Sequence, residues 1–148
     1  MLLLSAPAAL AGPASVTGRT SSTAAGLLQA VNATRASYGL HRLRLDAALG
    51  RAAGSHSADM LRRNSFSHGD FHGRMVAFGV RGGVAGENLA WGSGSYAQAK
   101  TIVAEWLASP GHRANLLRPG YTRIGIGLVR GTFQGSRAAT VVTADFAG

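Results

Sequence analysis

Five histidines carry most of the chemistry that this sequence can offer: His41, His56, His68, His72 and His112. Neutral imidazole binds transition metals and moves protons near neutral pH. Two imidazoles brought together from separate segments can hold a divalent ion such as zinc. His68 and His72 have the i, i+4 spacing of two ligands on one helix. Gly69-Asp70 between them argues against a helix, so His72 reads as exposed. His56 falls among apolar helix positions and reads as a structural histidine with its hydrogen bonds satisfied. His41 follows a turn and reads as solvated. Ser67 directly precedes His68, but adjacent residues do not make a triad. Ser109 and His112 are close enough to interact across a Pro-Gly turn, which leaves a serine-based mechanism open. The chain has no cysteine, which excludes a disulfide scaffold, a thiolate metal site and a Cys nucleophile together. No phosphate loop or dinucleotide fingerprint is present.

The elements that must position these residues show in the periodicity. Leu27, Leu28, Val31 and Arg35 fall at helical spacing in a segment from about Thr23 to Tyr38, with Gly39 as a stop. Asp46 is placed to cap a second helix, whose one side carries Leu49, Ala52, Ala53, His56 and Met60. Gly50 and Gly54 weaken that helix but allow close packing. A short third helix is expected over His72 to Phe78. Gly86 to Trp91 has no helical period and reads as a loop entering a short strand. Ser95 reads as the cap of a fourth helix with Tyr96, Ala99, Ile102, Val103, Trp106 and Leu107 as its buried stripe. Ser109-Pro110-Gly111 should end that helix abruptly. Beyond Pro119-Gly120 the period becomes two. Ile124, Ile126 and Leu128 alternate with Gly125 and Gly127, and Val142, Ala144 and Phe146 alternate with Val141, Thr143 and Asp145. The two runs predict a hairpin across the turn-rich segment Gly131 to Arg137. Glycines along one strand face leave room for a helix to pack closely. Helices first and a terminal hairpin last predict an α+β fold.

The 148 residues suit one domain, and 46% hydrophobic content suffices for a real core. Fifteen Lys and Arg against six Asp and Glu leave a formal charge of +9, and Lys100 is the only lysine. Such a balance favours anionic partners such as envelope polymers, acidic lipids or nucleic acid, although no nucleic-acid motif accompanies the charge. Met1-Leu2-Leu3-Leu4 opens an apolar run that continues to Ala11. Ala9-Leu10-Ala11 has the small-x-small form cut by signal peptidase. The run is too short to span a bilayer. No positive charge precedes it, so residues 1–11 read as a truncated signal peptide. Residues 12–22, rich in Gly, Pro, Ser and Thr, read as a flexible linker, and residues 23–148 as the domain.

Several segments in one order resemble the CAP superfamily, also called the SCP domain, which includes cysteine-rich secretory proteins, antigen 5 and plant pathogenesis-related 1 proteins. The bacterial branch is the better match. The matching pieces are Val31-Asn32 with Arg35 and Gly39-Leu40, Leu45-Asp46 leading to His56 and Met60, and Phe66-Ser67-His68. They continue with Gly86-Glu87-Asn88-Leu89-Ala90, and Trp106-Leu107 running into Ser109-Pro110-Gly111-His112-Arg113. Asn115-Leu116-Leu117, Ile124-Gly125-Ile126-Gly127 and Thr143-Ala144-Asp145-Phe146 complete the set. The resemblance implies a three-layer α-β-α sandwich with a small antiparallel sheet, secretion or an envelope location, and a central cleft lined by two His and two acidic residues. His68 and His112 match the two histidines and Glu87 the first acidic residue. Ser109 stands where the second is due. Glu105 lies one helical turn earlier on the same face, and the family pattern does not place it in the cleft.

Within that cleft Glu87 has three open roles: a third metal ligand beside His68 and His112, an acceptor that fixes a histidine tautomer, or a base. The alternative is a hydrogen-bonded polar cluster that organises the cleft without metal. Three functions follow. One is a binding module for an extracellular or envelope ligand, in line with the lipid- and sterol-binding members of the family. Another is a zinc- or other metal-dependent hydrolase of extracellular peptides or polymers. The third is a basic protein that binds polyanions through arginine.

Overall fold

The two period-two runs near the C-terminus form the centre of a sheet, and everything else packs on its two faces. The computed structural model describes residues 16–148, with side chains from Ala24 onward; the expected signal peptide, residues 1–11, lies outside the described residues. The chain begins with α1 (Val16–Ser37), β1 (Arg44–Leu45), α2 (Ala47–Arg63) and α3 (Phe71–Ala77). After β2 (Ala85–Gly92) and a 3₁₀ turn (Gly94–Ala97) come α4 (Ala99–Ala108) and α5 (Pro110–Leu116). The hairpin β3 (Arg123–Phe133) and β4 (Ser136–Ala147) closes the chain. The start of α1 falls inside the stretch that composition marks as a linker; Ser and Thr lower helix propensity only mildly and do not stop a helix.

The four strands lie in the order β1-β3-β4-β2. Strand alternation sorts β4 between two layers. Val142, Ala144 and Phe146 pack with Leu27 and Val31 of α1, Ile102 and Trp106 of α4, and Leu116 of α5. On the other face, Val141 meets Met60 of α2, and Ala147 meets Leu49 and Ala52 of α2 and Met75 of α3. The α-β-α sandwich is therefore as expected. The sheet is mixed rather than purely antiparallel, because β1 runs parallel to β3 with Leu45 opposite Ile124. The short link between α1 and α2 is extended here, and the N–H groups of Arg44 and Asp46 donate to the carbonyls of Thr122 and Ile124, both at 3.0 Å.

The cap on α2 forms as the sequence predicts: Asp46 accepts from the Leu49 N–H at 2.9 Å. Leu49, Ala52, Ala53, His56 and Met60 are all buried. The close approach of α2 to the sheet depends on the strand glycines. A Cβ at Gly125 would lie 2.0 Å from the Leu49 carbonyl carbon, and one at Gly127 would lie 2.2 Å from the Ala53 oxygen. Gly50 and Gly54, read as the packing glycines, have open space at the Cβ position, so the contact needs the strand glycines' missing side chains and not those of the helix glycines. Ser57 ties the same interface: its hydroxyl donates to Gly127 O at 3.1 Å and shares a hydrogen bond with the Thr143 hydroxyl at 2.8 Å.

Two expectations for the fourth helix fail. Ser95 belongs to the 3₁₀ turn, and α4 starts at Ala99 after Gln98, with no side-chain cap. Tyr96 is consequently outside the buried stripe and 68% exposed. Ile102, Val103 and Trp106 are buried as predicted. At Ser109 the backbone is extended, but Pro110 starts α5 at once as its first residue, where a missing N–H costs nothing. Arg35, fully buried, holds α5 in place. Its guanidinium donates to the carbonyls of His41 (3.0 Å), Leu116 (2.9 Å), Arg118 (3.0 Å) and Tyr121 (3.2 Å), which satisfies groups left open where α5 ends.

Candidate functional site

The Gly86-Glu87-Asn88 sequence becomes the middle of the story once it is laid on β2. Glu87 pairs with Asp145 of β4 and Asn88 with Ala144, so alternation sends Glu87 towards α2 and α3 and Asn88 towards α5. Asn88 Nδ2 donates to the His112 carbonyl at 3.0 Å. Asn115 of α5 returns the contact, donating to the Glu87 carbonyl at 3.0 Å and to Asn88 Oδ1 at 3.1 Å. Gly86 is required by this clasp: a Cβ there would lie 2.2 Å from the Tyr121 hydroxyl and 2.6 Å from Asn115 Oδ1. The strand thus carries a charge to one face and anchors the helix of His112 on the other.

The Glu87 carboxylate is almost wholly buried, and both oxygens are committed. Oε1 accepts from His68 Nδ1 at 2.7 Å. Oε2 is paired with Arg74 of α3. Arg74 was not among the residues that the sequence singled out. It also donates to the His68 carbonyl at 3.2 Å and to His56 Nδ1 at 3.1 Å, so it binds the loop before α3 to the site. Asp70 helps to hold the guanidinium's helix in place by capping α3, accepting from the Gly73 N–H at 2.8 Å.

His56 is buried as expected, yet it belongs to this cluster. Its Nε2 lies 2.9 Å from the Ser67 carbonyl, which only an Nε2–H can satisfy, while Nδ1 accepts from Arg74. Burial lowers its pKa, and Glu87, 4.0 Å from Nε2, offsets this only in part. His56 is thus a neutral fastener between α2 and the His68 loop. His68 itself is exposed, and its Nδ1–H points to Glu87, leaving Nε2 as the acceptor in the neutral ring. His72 is exposed, and Gly69 in the left-handed region breaks the helical spacing to His68.

Asp145 is the second functional residue that sequence reasoning missed. It is completely buried opposite Glu87, with no hydrogen-bond donor on either oxygen among the described residues. Burial, and then the Glu87 charge beside it, push its pKa up to about 8. The missing donor and the raised pKa have one cause. Two carboxylates share no donor until one takes a proton, after which the acid can donate to its neighbour. The only signal in the sequence is an aspartate inside a run of buried strand residues.

His112 and Ser109 line a separate cavity of about 430 Å³ with Phe66, Trp91, Tyr96 and Glu105, over a floor that includes Leu89, Ile102 and Trp106. Glu105 therefore does reach the cleft region, through a helix turn rather than through the position of the family pattern. Trp106 is core, as expected, and donates from Nε1 to the Leu89 carbonyl at 2.9 Å. Burial lowers the pKa of His112, and the neighbouring His68 lowers it further. No hydrogen bond joins Ser109 to His112 among the described residues. Nor are three His, Asp or Glu side chains there placed to hold one metal ion. The donors fit a metal poorly: two imidazoles are available, while Glu87 is spent on Arg74 and on orienting His68.

Comparison with known proteins agrees with this architecture. The model of the Cysteine-rich secretory protein family (CAP) matches residues 28–146. Two Bacillus subtilis proteins, YkwD and the membrane protein YlbC, are each 36% identical over 70% of this chain. The chain spans 41% of the first and 31% of the second, less than half of each. An extracellular SCP-domain protein of Bacillus anthracis superposes with a TM-score of 0.75 at 26% identity, covering 93% of this chain and 45% of that one. A cysteine-rich secretory protein of Staphylococcus aureus gives a TM-score of 0.66 at 19% identity, over 86% of this chain and 39% of that one. By sequence match and by fold, the chain belongs to the cysteine-rich secretory protein (CAP) family.

Proposed function

We propose that this is a secreted or envelope CAP-domain protein whose cleft binds a lipid, glycan or peptide ligand and does not turn it over. The observation that carries this reading is the division of the site. Its buried carboxylate is neutralised by Arg74 and spent on holding His68, while an open, aromatic-lined cavity lies alongside at His112. A base must meet a substrate proton, and a buried, ion-paired carboxylate is poorly placed to do so. An aromatic-lined concavity with a few polar groups is the usual form of a ligand site. The location rests on the likeness to an extracellular SCP-domain protein and to an outer surface protein of Borrelia burgdorferi.

The test is a panel of defined lipid vesicles, peptidoglycan fragments and peptides, offered to the wild type and to Trp91→Ala at physiological salt. The expected outcome is retention of one class by the wild type and its loss in the variant, with the variant still folded at the assay temperature by circular dichroism. Turnover of a panel member that disappears in Glu87→Gln would overturn the reading in favour of an enzyme. Binding that ignores Trp91→Ala but collapses with salt would instead make this a polyanion-binding protein.

A further inference from the structure

The six acidic residues of this chain have very different fates. Asp46 and Asp70 cap helices, with Asp46 also paired to Arg123. Asp59 is paired with Arg62 and Arg63, Glu87 with Arg74, and Asp145 is buried beside Glu87. Asp145 has no partner either, but it is buried; among the described residues Glu105 is the one exposed carboxylate with neither an ion pair nor a hydrogen bond. In a chain of charge +9 an exposed carboxylate has many cations available, so an unneutralised one is a local exception. It stands in the one place where the fold collects exposed aromatic rings.

Those rings are Phe66, Trp91 and Tyr96, which are 42%, 38% and 68% exposed and share the cavity with Glu105 and His112. Gathering three large exposed rings around one concavity is costly unless something covers them. Two are held rigidly: Trp91 and Phe66 pack edge-on against buried Phe133, with centroids 5.4 and 6.4 Å apart. Among the described residues no Lys or Arg lines the cavity. His112, kept neutral by burial and by His68, adds no positive charge.

We infer that this cavity binds an organic cation, an alkylammonium group that sets its charge against Glu105 and its carbon groups against Trp91, Tyr96 and Phe66. The proposal rests on the reading of the cleft as a binding site and names its ligand class. Aromatic faces attract cations through the ring quadrupole, and weakly hydrated alkylammonium groups gain most because they lose little on leaving water. A guanidinium would want several planar acceptors, and the lining offers one carboxylate. A divalent metal would want three protein ligands, and the lining offers Glu105 and His112.

The experiment is a titration followed by tryptophan fluorescence, with choline and with 3,3-dimethylbutan-1-ol, its uncharged isostere. The wild type should prefer choline by about fivefold or more, the scale of a partly desolvated cation–π contact. Glu105→Gln should close that gap, and Trp91→Ala should weaken both ligands. Glu105 is exposed, so its substitution leaves folding intact. Phosphatidylcholine vesicles supply a second arm: capture that free choline competes away assigns a lipid headgroup, while choline binding without capture assigns a soluble ammonium compound. Equal affinity for the two isosteres overturns the proposal. So does an absence of choline binding at millimolar concentration. If the wild type then still holds a panel ligand that Trp91→Ala releases, the binding reading stands without its cation; if it holds none, both fall.

Discussion

Glu87 and Asp145 stand directly opposite one another on β2 and β4, both buried on the face covered by α2 and α3. Asp145 binds its proton up to a pH of about 8, against 3.8 for a free carboxyl. The sign follows from that elevation. At low pH both the folded and the unfolded chain hold the proton. As pH rises past 3.8 the unfolded chain releases it while the folded chain keeps it, so stability from this group falls until about pH 8. Denaturant unfolding between about pH 7 and 8, above the range in which the lowered pKa values of His56 and His112 give the opposite slope, should therefore show stability declining with pH. Asp145→Asn, which keeps the shape and supplies a permanent donor to Glu87, should flatten that decline. An unchanged slope in the variant would place the titration elsewhere.

Arg74 is the counter-charge on which Glu87 depends, and both side chains are close to fully buried. Arg74→Met should cost about 3–5 kcal/mol, because it strands a buried carboxylate. Glu87→Gln should cost less, and the double variant less than the sum of the two. A double-mutant cycle by urea unfolding checks this; a coupling below about 0.5 kcal/mol would show two independent groups.

The strand glycines and the helix glycines should respond in opposite ways. Gly125→Ala and Gly127→Ala force a methyl group into the α2 backbone and should each destabilise by about 1–3 kcal/mol. Gly50→Ala and Gly54→Ala meet open space within α2 and should stabilise by about 0.5–1 kcal/mol. Thermal melts of the four variants decide it, and a loss of stability at Gly50 or Gly54 would contradict the packing described.

Two imidazoles alone should hold zinc weakly. Protein dialysed after zinc loading should retain well under one equivalent, measured by elemental analysis, and His68→Ala with His112→Ala should retain about the same. Stoichiometric zinc lost in the double variant would show that the metal recruits a third ligand, with Glu105, which lines the same cavity as His112, a candidate.

Much of the fold was legible because short-range physics wrote it. The Asp46 cap, the apolar side of α2, the alternation of β3 and β4, and the extended break at Ser109 all depend on neighbours within a few residues. Errors came where a local signal had a nearby competitor. Ser95 looked like a cap, but the 3₁₀ turn displaced the helix start to Ala99. The parallel pairing of β1 could not be read from two residues whose partner strand lies far along the chain.

For the site, the sequence by itself determined that His68, Glu87 and His112 are present in family order, that no thiol chemistry is available, and that the segment from Gly86 runs into a strand; the structure shows that Glu87 already lies within it. Only the tertiary structure decided what Glu87 does. Its partner Arg74 comes from a different helix, and Asp145 reaches it across a strand pair. Glu105 joins His112 because a helix turn and the Pro110 break bring them to one cavity. Charge pairing and burial act through space over a few ångströms, whereas sequence patterns report only what lies within a turn or a strand. Residues distant in the chain acquire their pKa, partners and roles when the sheet and its helices close around them.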